Sequence, residues 1–131
     1  MAVGLKEMIA RARSAAREIP PAAVKDGVDG GEIDLVVDVR EPREWQQGHV
    51  PGALNVPRGL LELKADPESP VADPALARRE ASVVLYCTKG PGARSLLAAE
   101  TLSEMGFANV AVLAGGLNGW REAGLPVDET T

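Results

Sequence analysis

Ser82-Val83-Val84-Leu85-Tyr86-Cys87-Thr88-Lys89-Gly90-Pro91-Gly92-Ala93-Arg94-Ser95 is an apolar, β-branched run that ends at a cysteine, crosses a glycine-rich loop and enters a helical pattern. The pattern continues to Met105, with Leu96, Leu97, Ala99, Leu102 and Met105 on one face and Gly106 as its stop. Asn109-Val110-Ala111-Val112-Leu113 then forms a second apolar run of strand length. Strand, helix, strand is a βαβ unit, so the two strands are parallel and the crossover right-handed. Ile33-Asp34-Leu35-Val36-Val37-Asp38-Val39 is a third run of the same kind. Near-continuous apolar runs suit strands covered on both faces, which makes this an α/β chain with helices on each side of a sheet.

Leu5, Met8, Ile9 and Ala12 fall at helical spacing, so an amphipathic helix is expected over 4–17, stopped by Pro20 and Pro21. Shorter helices are expected near 21–27 and at 42–47, 73–79 and 116–123. The stretch from Leu60 to Glu80, proline-punctuated and of mixed charge, gives no clear pattern. No repeat or low-complexity tract divides the chain, so residues 1–131 read as one domain. It opens with the helical segment 1–18 and closes with a C-terminal tail, 126–131.

The chain has 131 residues, 45% of them hydrophobic, and a net charge of -5. At this length a single core buries roughly two-thirds of the unfolded surface, so no staple is required. One cysteine, Cys87, permits no internal disulfide, and one histidine, His49, leaves no Cys/His zinc cluster. No metal or cofactor is implied, although a carboxylate-only metal site stays formally open. The acidic balance and only four aromatic side chains argue against nucleic acid. No apolar run approaches a membrane span, and the first residues do not follow a secretory pattern, so a cytoplasmic protein is expected. Lys6 to Arg17 carries the arginines of a transit peptide, but Glu7 and Glu18 count against one.

In open α/β sheets function sits outside the carboxyl ends of the strands, where Cys87 stands. A thiol at the end of a buried strand, facing a glycine-rich loop that feeds a helix N-terminus, meets backbone amides and a helix dipole that favour negative charge. Lys89 and Arg94 add cations. The glycines let the loop curl until its amides converge on the sulfur, and Pro91 contributes no donor. These residues form a cradle for an anionic sulfur or oxyanion, with a nucleophilic sulfur within it.

At this point the chain resembles a single-domain rhodanese-family protein. Asp38-Val39-Arg40-Glu41-Pro42-Arg43-Glu44-Trp45-Gln46-Gln47-Gly48-His49-Val50-Pro51-Gly52-Ala53-Leu54-Asn55-Val56-Pro57 is similar to the family's N-terminal signature. Tyr86-Cys87 through Arg94-Ser95, then Gly106-Phe107, then Gly115-Gly116-Leu117-Asn118-Gly119-Trp120 and Gly124-Leu125-Pro126-Val127 follow in the family's order. The resemblance implies a doubly wound domain around a five-stranded, mainly parallel sheet. It implies sulfur transfer: the cysteine matching Cys87 takes a sulfane sulfur from a donor such as thiosulfate, forms a persulfide and passes the sulfur to cyanide or a thiol. Thr88, Lys89, Gly90, Gly92, Ala93 and Arg94 become the substrate-binding loop, with Lys89 on the sulfonate end of the donor. Asp38 and Arg40 are expected to brace the loop. The expected partners are a small sulfur donor and a thiol or cyanide acceptor, with a protein sulfur carrier as a further class. Oligomeric state is left open.

Two features depart from the family pattern. Arg94 comes seven positions after Cys87, where the family arginine comes five after, as if two residues were inserted around Gly90-Pro91-Gly92. Glu44 stands where two-domain thiosulfate enzymes have an arginine. A phosphatase or arsenate reductase-type enzyme and a non-catalytic binding or regulatory module therefore stand as alternatives. His49 is expected to be structural, and Trp45 and Trp120 to anchor helices to the core. Arg58 is a candidate for the edge of the site.

Overall fold

The computed structural model describes residues 1–90 and 92–129. Pro91, and Thr130 and Thr131 of the expected tail, lie outside the described residues. The elements run α1 (Leu5–Ala15), β1 (Arg17–Ile19), α2 (Pro21–Gly30), β2 (Leu35–Asp38), α3 (Pro42–Gln47), β3 (Leu54–Asn55), α4 (Leu61–Ala65), β4 (Ser82–Tyr86), α5 (Ala93–Glu104), β5 (Asn109–Leu113) and α6 (Gly116–Glu122). The five strands form one sheet in the order β1-β5-β4-β2-β3, and every pairing in it is parallel. Tyr86 at the end of β4 lies beside Asp38 at the end of β2. From β2 the chain runs outward to β3 on one side, and from β4 to β5 on the other. The carboxyl ends of β2 and β4 therefore flank a topological switch point, where such sheets open a crevice.

Burial along β4 explains the continuous apolar run. Val83, Leu85 and Cys87 enter the cluster that holds Ala12 of α1, Leu61 of α4 and Leu96 and Leu102 of α5. Val84 and Tyr86 enter the opposite cluster, with Val24 of α2 and Leu117 and Trp120 of α6. Alternate side chains thus face two covered sides, and neither face can carry polar residues cheaply.

The elements that sequence pattern missed are the sheet's edges. β1 and β3 have three and two residues, and each pairs on one side only. Neither carries an apolar run because an edge strand of that length buries little. The helix expected at 73–79 is absent. Leu76 and Ala77 donate to the Asp73 carbonyl at 2.9 and 2.8 Å, and Asp73 Oδ1 accepts from Ala75. The ladder then breaks, because Arg78 donates to Leu76 and Ala81 to Arg78 as the chain turns into β4. One capped turn with a single buried anchor, Leu76, is too short to repay helix nucleation. The unread stretch instead holds α4, preceded by a 3-10 turn over Arg58–Leu60, with Leu61 and Ala65 buried. On α1 only Ala12 of the expected apolar face is fully buried, while Leu5 and Met8 stay exposed. Among the described residues no helix is long and apolar enough to cross a membrane.

Leu85→Ala, at a fully buried β4 position, is expected to cost about 2–5 kcal/mol. Chemical denaturation compared with the unaltered protein measures it, and a loss below about 1 kcal/mol would contradict this packing.

Candidate active site

Cys87 follows β4 directly and is 3% exposed. Its Sγ lies 3.4 Å from Ser95 Oγ and 3.9 Å from the Lys89 carbonyl oxygen. Ser95 sits in the first turn of α5 and donates to the Gly92 carbonyl at 3.1 Å, which sets its oxygen against the sulfur. Gly92 is the N-cap of α5, and no side chain caps the helix. A Cβ at Gly92 would collide with Cys87 Sγ and lie 2.9 Å from Ser95 Oγ, so only glycine lets the loop pass this close. The first-turn amides of α5 have no side-chain cap, and the positive end of the helix dipole lies at Gly92, beside the sulfur. Among the described residues no backbone N–H donates to Sγ itself. The expected convergence of loop amides on the thiol is replaced by contacts to Ser95 and a carbonyl. An anion that the amides could bind would sit beyond Sγ.

The loop is held from the other side by α6. Leu117 and Asn118 donate their backbone N–H groups to the Cys87 and Thr88 carbonyls, both at 2.9 Å. The contact requires Gly116, because a Cβ there would lie 2.7 Å from the Cys87 carbonyl oxygen, and its φ of +61° is left-handed. The glycine pair Gly115-Gly116 thus lets α6 press its own N-terminus against the loop that follows β4.

Cys87, Thr88, Lys89, Gly92, Ala93 and Arg94 line one cleft of about 390 Å³. Gly90, expected in the same loop, turns to the far side and lines a separate cleft with Arg13, Glu18 and Gly115. Lys89 is exposed, and among the described residues no carboxylate pairs with it. Arg94 is engaged differently from expectation. Its Nη1 and Nη2 donate to Glu44 Oε1 and Oε2 at 2.7 and 3.1 Å, a two-pronged pair, and Nη2 also reaches Thr88 Oγ1 at 3.3 Å. The hydrogen bond from Arg94 holds the Glu44 carboxyl down at about 2, against an ordinary 4.5, and the same bond raises Arg94.

Glu44 reaches this position from α3, whose start is locked by a capping box: Glu41 N–H donates to Glu44 Oε1 at 3.1 Å, and Pro42 occupies the first turn. Asp38 and Arg40 brace the other end of that helix. Arg40 Nη2 and Nε donate to Asp38 Oδ2 and Oδ1 at 2.7 and 3.0 Å, and Nη2 donates to the Gly48 carbonyl at 2.6 Å. Both residues are buried, and Arg40 lies over the Tyr86 ring. Among the described residues neither side chain bonds to the 87–94 loop. Asn55 Nδ2 donates to the Asp38 and Arg40 carbonyls, which fixes the same turn.

His49 Nδ1 meets the Trp45 carbonyl at 2.8 Å, and its ring stacks on Trp45 at 3.9 Å, away from the cleft. Trp120 is buried and donates to the Pro126 carbonyl at 2.7 Å. Arg58 pairs with Glu62 and Thr101 and does not reach the cleft. Ser95 and Glu44 are the site groups that sequence pattern did not assign. The available signal for Ser95 was a small hydroxyl at the third position of a helix entered through glycine, where side chains turn back toward the N-terminus.

A family model described as Rhodanese-like domain matches residues 20–123. A sulfurtransferase of Allochromatium vinosum is 34% identical over 110 residues, covering 84% of this chain and 92% of that protein. The thiosulfate sulfurtransferase PspE of Escherichia coli is 42% identical over 81 residues, 62% of this chain and 68% of its own. A solved structure from Rhodopseudomonas palustris, of a protein described as a possible tyrosine phosphatase, is 37% identical. It superposes with a TM-score of 0.86 over 98% of this chain and 96% of its own.

Two outcomes are expected from this geometry. Gly92→Ala should fold but leave the Cys87 thiol at least roughly tenfold less reactive toward a thiol reagent, because the methyl group must displace Sγ or Ser95; reactivity within twofold of the unaltered rate would contradict the contact. Glu44→Gln keeps the capping acceptor but loses the charge. Because the folded carboxyl titrates below its unfolded value, the pair's contribution is present above about pH 4.5 and lost as pH falls toward 2. The pair is partly exposed and screened, so the difference in unfolding free energy near pH 7 should be under about 1 kcal/mol. It should vanish toward pH 2, and a difference constant over that range would contradict the pairing.

Proposed function

The chain belongs to the rhodanese-like family, and we propose that it is a sulfurtransferase in which Cys87 carries a sulfane sulfur from a donor such as thiosulfate to cyanide or a thiol. The observation that carries this reading is the position of Cys87 Sγ, directly beneath Gly92 at the uncapped N-terminus of α5 and open to a cleft lined by Lys89 and Arg94. In the first step the Cys87 thiolate attacks the outer sulfur of thiosulfate. An S–S bond to Cys87 forms, the bond to the sulfonate sulfur breaks, and sulfite departs with the electron pair. The terminal sulfur of the persulfide lies beyond Sγ, where the first-turn amides of α5 stabilise its charge. In the second step cyanide or a thiolate attacks that sulfur, and Cys87 leaves as thiolate.

Both leaving groups depart as stable anions, so neither step needs a proton donor. Thr88, Lys89, Gly92 and Ala93 bind and orient the donor, Arg94 shapes the cleft wall through its pair with Glu44, and Asp38 with Arg40 act at one remove by fixing α3. Cys87 is the chain's only cysteine, so the sulfur discharges to an external acceptor, a small thiol or a protein sulfur carrier. A cytoplasmic setting is part of this proposal, since small thiols are abundant there.

A second reading, phosphate-ester hydrolysis, is favoured by the likeness to the Rhodopseudomonas palustris structure and by the lengthened loop. It requires a carboxylic acid to protonate the departing alkoxide or phenoxide. The carboxyl group paired to the loop, Glu44, gives both oxygens to Arg94 and one of them also to the Glu41 N–H, so it stands as a carboxylate with no proton to give. The chemistry of the site supports sulfur transfer over hydrolysis.

Incubated with a sulfane donor, the unaltered protein should gain about 32 Da on Cys87, the gain should be removed by cyanide, and Cys87→Ser should gain nothing. Intact-protein mass spectrometry checks this. Transfer retained in Cys87→Ser would refute the assignment, and turnover of an aryl phosphate with no sulfur gain would favour hydrolysis.

A further inference from the structure

We propose that Glu44 is a specificity-determining residue which, by pairing with Arg94, selects donors whose leaving group carries at most one charge, an organic persulfide in preference to thiosulfate. The inference rests on the sulfurtransferase reading and deepens it by naming the donor class.

The cations of the cleft are Lys89 and Arg94. Arg94 spends both terminal nitrogens on the two carboxylate oxygens of Glu44, at 2.7 and 3.1 Å, and its remaining short contact is Thr88 Oγ1. Arg94 and Glu44 together are neutral, which leaves Lys89 as the net charge that a donor meets. Glu44 is not free to swing aside, because its Oε1 also accepts the N–H that starts α3, and α3 is fixed at its far end by Arg40. A dianion that approached Arg94 would therefore have to break a two-pronged ion pair or sit beside a carboxylate, and like charge within a few ångströms is repulsive.

The two donor classes differ in the charge they bring to that spot. With thiosulfate, the Cys87 thiolate and the donor dianion carry three negative charges into the transition state, and sulfite leaves with two. With an organic persulfide, R–S–SH, the thiolate attacks the outer sulfur, a Cys87–S–SH bond forms, the internal S–S bond breaks, and R–S⁻ leaves with the electron pair. Only one negative charge is then in play. The cleft, about 390 Å³, falls within the roughly 300–1,000 Å³ that hold small organic molecules, and Gly92 and Ala93 keep its wall low beside the sulfur.

The test compares thiosulfate with the persulfide of 2-mercaptoethanol, whose leaving thiolate carries a single charge, as donors by kcat/KM, and inorganic sulfate with methanesulfonate as inert competitors of similar shape and different charge. In the unaltered protein the persulfide should be the better donor, and methanesulfonate should bind at least as tightly as sulfate. Glu44→Gln should shift the donor ratio toward thiosulfate by roughly tenfold or more, mainly through KM, and tighten sulfate by a similar factor. Glu44→Asp, which retains the charge, should restore the unaltered preference. Tighter sulfate than methanesulfonate in the unaltered protein would overturn the proposal. So would a Glu44→Gln protein whose donor ratio or sulfate affinity moves less than twofold. If neither donor loads Cys87, the sulfurtransferase reading fails, and the proposal with it; the pair of inert anions then still reports the charge of the cleft.

Discussion

The site depends on one constraint: a cysteine must sit at the end of a strand buried on both faces while its sulfur reaches the start of a helix. β4 delivers Cys87 into the packed interior, and α5 begins six residues later with no side chain over its first turn. The intervening loop has to run close enough for Gly92 to touch the sulfur, which excludes any Cβ at that position. The sulfur thereby lies beside a helix end that no side chain caps. The neighbouring elements serve that junction. The amides of α6 hold the Cys87 and Thr88 carbonyls, and Gly116 permits their approach.

The charge of the site is set by a different part of the chain. A buried Asp38–Arg40 pair is weak evidence for stability in itself, because desolvation offsets much of the attraction. Here its geometry does something more specific: Arg40 also grips the Gly48 carbonyl, so the turn after β2 and the end of α3 are tied to one point. At the other end of α3 the capping box aims Glu44 at Arg94. A network that begins at the carboxyl end of β2 thus ends by neutralising one of the two cations that the loop contributes. The lengthened loop fits this arrangement, since Arg94 turns to α3 instead of lying over the sulfur.

Legibility in the sequence followed burial. β4 and β5 are found at the residues where their apolar runs lie, because both faces are covered and only Asn109, at the start of β5, is exposed. α3 is likewise found at 42–47, where Pro42 and the Glu41/Glu44 spacing mark a helix start. The edge strands β1 and β3 were not legible, since two or three residues paired on one side leave no periodic trace. The 73–79 segment misled because Pro74 and Leu76 imitate a helix start that the approach to β4 cuts short. Cys87 and its loop stood out locally. The Glu44–Arg94 pair did not, because its partners are fifty positions apart and meet only once α3 is fixed. Ser95 was visible as a residue, but its contact with Sγ depends on how its hydroxyl turns in the first helical turn.

On the proposed mechanism Cys87 holds the transferred sulfur as a covalent intermediate. This is tested most directly by loading the protein with a donor isotopically labelled at the sulfane sulfur, thiosulfate or glutathione persulfide, removing all small molecules, and adding cyanide. About one labelled thiocyanate per protein molecule is expected in a single turnover, from label that stayed with the protein at Cys87. Label absent from the isolated protein, or thiocyanate formed only while donor is present, would contradict it.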